Sequence, residues 1–392
     1  RGLILSELNN RAVWLVRPVD TDAPLTVLDA ETGARIVTGE RDRAMALARH
    51  FRGQPDAKIV ETERLTAFRD DYPAVNRIVP VWRVRFAGPE QLDYYIDVPG
   101  NRFMTAANAP RRVMLSLFQH LHTAKFLEGL EPLRLVLLSG LLLAITAMSV
   151  TGIVMLLRWR GRAPLRRWHR WLGYVAAPAA LAWPLTGLLH LWTASTLSQP
   201  APAPAAEFAI TDGLLLPNTL IGQPIASLTL HGGYGGEAPL AWRYQPTRTT
   251  GPAEAQWFSP DGLALDQTDT DQAVSLARQT QGWAADRALE LETLTRFRPD
   301  YGFDKKRLPV VAITPQSAPD ATVYISVTEA IVAARRDHGL KTLDAYAFDI
   351  VHKWSFADPL GKVVRDLLMS LCLLALMATA LIGIWIGRHR QT

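Results

Sequence analysis

The nine histidines of this 392-residue chain are its best candidates for redox or metal chemistry. The single cysteine, Cys372, excludes a disulfide framework, a thiolate zinc site and a four-cysteine iron–sulfur cluster. The histidines are unevenly placed. His120 and His122 precede one uncharged apolar run, His169 and His190 lie at the two ends of a second, and His352 and His389 flank a third. His50, His231 and His338 fall in polar stretches and read as surface or internally satisfied residues. An ionisable side chain at membrane depth is costly and defaults to a functional hypothesis. Neutral imidazole is also the usual axial ligand of a haem that carries electrons without binding substrate at iron. Two imidazoles on one iron must face each other from different segments at one depth. His122 and His352 meet that requirement, and His190 is a rival partner for either. His169 needs a mate at the opposite side; the symmetry-equivalent residue would lie in a missing first span, and His389 is a weaker candidate because it sits in a basic tail. Twenty-one residues separate His169 from His190, about 31 Å of helix, so two haems, one near each face, would form a transmembrane electron path. His120 has no counterpart in the repeat described below and is expected to pack or play a secondary part.

Three elements must position these groups. Leu135–Leu157, Trp171–Trp192 and Leu367–Gly387 contain no Asp, Glu, Lys or Arg, and each is long enough to cross a hydrocarbon core of about 30 Å. Trp171, Trp192 and Trp385 lie near their ends, where amphipathic rings favour the headgroup region. Arg158, Arg160, Arg162, Arg166, Arg167 and Arg170 crowd the connector between the first two runs, and Arg388 and Arg390 follow the third. The positive-inside rule makes these ends cytoplasmic and puts residues 1–130 and 195–360 outside, in the periplasm of a Gram-negative cell. The net charge of +5 is then largely a topology signal, and nucleic-acid binding is not expected.

The two extracytoplasmic segments repeat one another. Glu61–Tyr72 aligns with Glu290–Tyr301 at an offset of 229, with eight of twelve positions identical. The same offset aligns Ala44–Arg49 with Ala273–Arg278, Pro80 with Pro309 and Tyr95 with Tyr324. With one residue of slip, His122–Phe126 matches His352–Phe356, each ahead of an apolar run. Each copy reads as strand, Gly turn, helix and hairpin strands: Ala44–Phe51 and Ala273–Gln279 have helical spacing, and Val81–Phe86 and Asp93–Asp97 alternate as strands before the turn at Val98–Gly100. Gln199–Ala206 is a stiff Pro/Ala linker. Arg1–Leu5 resembles Thr186–His190, the tail of the second run, so symmetry predicts a further span ahead of the first copy.

The expected fold is an α-helical transmembrane bundle, three spans in this chain and four natively, with two duplicated periplasmic α+β domains. Its boundaries are the end of a missing first span and a lead-in over 1–20, a first domain over 21–111 and an interfacial helix with His120 and His122 over 112–132. A span over 133–158, a cytoplasmic loop over 159–168 and a second span over 169–193 follow. Then come the linker (194–207), the second domain (208–345), an interfacial segment with His352 (346–362), the last span (363–387) and a tail (388–392).

His169-Arg-Trp-Leu-Gly173, opening a span that ends Leu185-Thr-Gly-Leu-Leu189, resembles the first signature of the PepSY-associated transmembrane family. Leu121–Phe126 leading into Val150-Thr-Gly-Ile153 resembles its second, and Tyr94–Gly100 looks like the final hairpin of a PepSY domain. The likeness covers nearly the whole chain through short motifs in a specific order. It departs at Ala124, Lys125, Trp354 and Ser355, where the family has small residues, and at Ser326 opposite Asp97. The resemblance implies an inner-membrane, haem b-containing ferric-siderophore reductase, with His122, His352 and His169 at the family's histidine positions. It implies one-electron reduction of a ferric siderophore in the periplasm. Gly232–Gly236 lacks the context of a dinucleotide-binding turn, so the electrons are expected from a separate flavoprotein or from quinol. The docking surface would lie on the outer domains, but Arg69, Tyr72, Arg298, Tyr301, Trp283 and Trp354 read as structural, since Arg-x-Asp-Tyr recurs in both copies. Two alternatives remain open: a haem conduit to another acceptor, and a haem-free protein whose PepSY-like domains bind a partner.

Overall fold

A computed structural model describes the chain apart from residues 1, 9–10, 19–22, 77, 159–163, 197–216, 221, 224, 233–239, 247–253, 299, 303–304, 320, 337–338 and 389–392. It divides into two units, Arg1–Phe118 with Pro200–Arg335 and Gln119–Gln199 with Arg336–Thr392. The Pro/Ala linker, most of the Gly232–Gly236 run, the centre of the Arg-rich connector, His338 and His389 lie outside the described residues.

The first unit holds both copies of the repeat. Strands β1 (Gly2–Leu8), β2 (Arg11–Arg17) and β3 (Thr26–Asp29) lead to helix α1 (Gly39–Arg52), then to β4 (Ile59–Leu65), β5 (Val81–Phe86), β6 (Asp93–Asp97) and β7 (Arg102–Ala107). Helix α2 (Ala109–Thr123), α3 (Glu131–Arg158) and α4 (Pro164–Thr196) follow. The second copy runs β8 (Ile225–His231), β9 (Ala241–Pro246), β10 (Gln256–Phe258), β11 (Ala264–Leu265), α5 (Asp269–Gln281), β12 (Leu289–Leu294), β13 (Val310–Pro315), β14 (Thr322–Ser326) and β15 (Ile331–Arg336). Two antiparallel sheets, β4-β5-β6-β7 and β12-β13-β14-β15, have the same order. Each helix covers one of them through equivalent residues. Ala44, Leu47 and Ala48 pack on Val84, Ile96 and Val98, and Ala273, Leu276 and Ala277 pack on Ile313, Ile325 and Val327. The left-handed glycines Gly53 and Gly282 stop both helices, a conformation that costs a Cβ-bearing residue. On the opposite face, Tyr72 stacks on Tyr95 at 4.8 Å and Tyr301 on Tyr324 at 4.6 Å. Both X–Pro bonds at the matched prolines, Pro80 and Pro309, are cis.

Residues 2–8 correct one expectation. They form strand β1, not the end of a helix, and β1 is apolar on both faces because Leu3 and Leu5 join one core cluster while Ile4 and Leu8 join another. Periodicity alone does not separate such a strand from a buried helix segment. β1 pairs antiparallel with β8 through Leu3–Leu230, Ile4–Thr229 and Leu5–Leu228. The pairing centres on Ile4 and Thr229 and is nearly self-complementary, as at an isologous interface. One seven-stranded sheet, β11-β10-β9-β8-β1-β2-β3, therefore runs through both copies. An ion-pair network ties them a second time: Arg102 on β7 meets Asp97 at 2.8 Å and Glu329 at 2.6 Å, and Arg307 meets Glu329 at 3.2 Å.

The second unit is helical. α3, α4 and a last helix, α7 (Lys362–Arg388), are long and apolar enough to cross a membrane, consistent with a membrane protein. α4 extends beyond its expected 169–193 at both ends. Outward-facing Leu141, Met148 and Leu157 on α3 and Leu371, Leu374 and Leu381 on α7 are exposed, as a hydrocarbon surrounding requires. α4 contacts both neighbours. Pro184 has no N–H, which deprives the Ala180 carbonyl of its helical partner. The Ser149 hydroxyl of α3 lies 2.8 Å from that carbonyl and also 2.8 Å from the Ile145 carbonyl of its own helix, so its one proton is shared between the two. Gly173 leaves room for Leu156 of α3, whose methyls would lie 3.1 Å from a Cβ there.

Candidate functional site

Helix α2 ends at Thr123 with His122 in its last turn. In the second copy a short helix, α6 (Leu340–Tyr346), continues into a π-helical turn, Ala347–His352. The one-residue slip between the copies falls in this stretch, and a π turn is how a helix holds one extra residue. Both segments end on a left-handed residue, Ala124 at φ 50° and Trp354 at φ 58°. The result brings the two expected histidines together: the His122 and His352 rings lie 6.2 Å apart between centroids, tilted by 57°.

The supporting residues come in two facing stripes. Asp344, Phe348 and His352 recur every fourth residue, and on α4 so do Thr186 and His190. The His190 Nδ1 lies 3.0 Å and 3.2 Å from the two carboxylate oxygens of Asp344. Its ring stacks on Phe348 at 3.9 Å, and Phe348 stacks on His352 at 4.9 Å. His352 Nδ1 is 3.0 Å from the Thr186 hydroxyl, and Trp354 sits 5.9 Å from Trp183. Burial first, then the neighbouring His122 and His190, push the His352 pKa down to about 4. Its imidazole is therefore neutral at physiological pH and able to offer a lone pair.

No family model, curated protein or solved structure matches the chain.

The separation of the His122 and His352 rings fits a metal held between two imidazoles. Nitrogens about 2 Å from one metal, on rings facing each other, separate the centroids by roughly 6 Å. His190 is not in that pair; Phe348 stands between it and His352. At the other end of α4, the His169 Nδ1 is buried and finds no hydrogen-bond partner among the described residues. Its Cε1 would lie 3.3 Å from a Cβ on Gly383 of α7, so that glycine lets the ring lie against the helix. The structure brings no second imidazole to His169 among the described residues.

The remaining candidates have structural partners. Arg69 and Tyr72 form a two-residue bridge, as do Arg298 and Tyr301. Arg69 pairs with Glu63 and Asp71, and Arg298 with Glu292 and Asp300. The Tyr72 and Tyr301 hydroxyls donate to the carbonyls of Ile78 and Arg307. Trp283 carries the Arg287 guanidinium over its ring. His231 is buried, edge-on to Trp257 and 2.7 Å from the Thr229 hydroxyl, and His50 is exposed. Sequence reasoning missed Thr186, Asp344 and Phe348; their four-residue spacing from His190 and His352 was the available signal.

Proposed function

We propose that this chain is a bacterial inner-membrane haem protein that passes electrons outward to reduce Fe(III) held by a siderophore in the periplasm. The observation that supports this most is the pair of neighbouring imidazoles, His122 and His352, with ring centroids 6.2 Å apart and drawn from equivalent positions of the repeat. In this reading the arginine-rich ends face the cytoplasm and the two repeated domains are a periplasmic duplication. A haem b between His122 and His352 would supply a one-electron donor at the outer face, and His169 would serve a second group near the inner face. Oxygen chelators hold hard Fe(III) far more tightly than Fe(II), so one electron is enough to release the iron. What the chain's own residues contribute is holding and orientation: Thr186 and Phe348 fix His352, and Asp344 fixes His190. The electrons are supplied by a separate flavoprotein or by quinol.

The test uses the full chain in detergent, loaded with haem b and reduced with dithionite. Reoxidation on adding a ferric siderophore, with Fe(II) trapped by a ferrous chelator, is the expected result. A haem spectrum that stays reduced points to a conduit serving another acceptor. A protein that takes up no haem refutes the proposal and leaves the partner-binding reading.

A further inference from the structure

The Thr-Gly motif at Thr186–Gly187 has a chemical task at the site. Thr186 is nearly buried at 9% exposure, and its Oγ1 lies 2.8 Å from the Ala182 carbonyl, 3.2 Å from the Trp183 carbonyl and 3.0 Å from His352 Nδ1. A hydroxyl has one proton and two lone pairs, and carbonyls only accept. With the proton directed to Ala182, the interaction with His352 is satisfied only if the ring donates from Nδ1. Gly187 lies beside the ring, where a Cβ would make ordinary contact with His352 Cε1 at 3.7 Å.

We infer that Thr186 is a positioning residue that holds His352 as its Nδ1–H tautomer and thereby leaves Nε2 as the nitrogen that binds iron. The tautomer follows from the hydrogen bonds alone, whereas the iron-binding consequence rests on the proposed haem function. The anchor is a neutral hydroxyl, unlike the carboxylate that holds His190, so the two imidazoles are held by acceptors of different strength. Such outer partners orient a ligand ring and set its basicity.

Two variants of the full chain decide it. Thr186→Val keeps the shape and removes the acceptor, and Thr186→Ser restores the hydroxyl. The ¹⁵N shifts of the His352 ring, identified by difference from His352→Gln, are read in haem-free protein. Nδ1–H is expected in wild type and in the serine variant, and a mixture of tautomers in the valine variant. Haem affinity is read by titration, with about a 10–100-fold loss for valine and recovery for serine. Unchanged helicity in all three excludes a folding defect. A valine variant with the wild-type tautomer overturns the inference, as does one with wild-type haem affinity. If wild type binds no haem, the proposed function fails while the ¹⁵N shifts still decide the role of Thr186.

Discussion

Replacing Glu329 with Gln tests how the two copies are held together. Glu329 is placed between Arg102 at 2.6 Å and Arg307 at 3.2 Å, with its side chain 10% exposed. Burial alone would raise its pKa, but Arg102, then Arg307 and Arg17, hold it well below the ordinary 4.5. Gln preserves the shape and leaves two guanidinium groups without that carboxylate. Removing one partner of a buried pair costs about 3–5 kcal/mol. Arg102 keeps Asp97 at 2.8 Å, which places the expected loss near the lower end, about 3 kcal/mol. For a unit of this size that corresponds to a fall in Tm of roughly 6–12 °C. Glu61→Gln is the control, because Glu61 is 44% exposed while pairing with Arg83 and Arg85, and surface pairs contribute about 0–1 kcal/mol. The sign of the pH effect follows from the depressed folded-state pKa. The Glu329 contribution is fully present above pH 4.5 and is lost as the pH falls below it. Melting of both variants is followed by tryptophan fluorescence in detergent at pH 7 and across the acid range. Equal melting of E329Q and E61Q at pH 7 would refute the argument. So would an E329Q deficit that persists unchanged in acid.

Two other outcomes follow from the helical unit. His122→Ala and His352→Ala are each expected to lose the haem spectrum that reconstituted wild type shows, while exposed His50→Ala retains it, as read by the Soret band. Ser149→Ala leaves the Ala180 carbonyl without the donor it shares with Ile145 and is expected to cost about 0.6 kcal/mol, at most roughly 1.7, measured by unfolding in mixed micelles. In a Pro184→Ala background the same change is expected to be neutral, because the helix then supplies its own N–H.

The three long apolar helices and the repeat were legible in the residue order. Uncharged length reports a membrane span directly, since every buried charge is costly in hydrocarbon. The repeat was visible because core positions such as Ala44 and Ala273, or Tyr72 and Tyr301, carry the same packing constraint in both copies. The error at Arg1–Leu5 has an equally physical origin: a strand buried on both faces and the end of an apolar helix share one hydropathy pattern.

What the sequence by itself determined was therefore local or periodic: where the chain is apolar, where it repeats, and which side chains are able to hold a metal. Only the tertiary structure decided which of the histidines meet. His122 and His352 are separated by most of the chain, and their approach depends on a π turn that absorbs one residue and on helix α4 lying beside it. It likewise decided that β1 pairs with β8 and joins the copies in one sheet. It also made Thr186 rather than a charged residue the anchor of His352. Long-range pairings of this kind leave no periodic trace, because they are set by complementary shape and by hydrogen-bonding groups that must find partners once water is excluded.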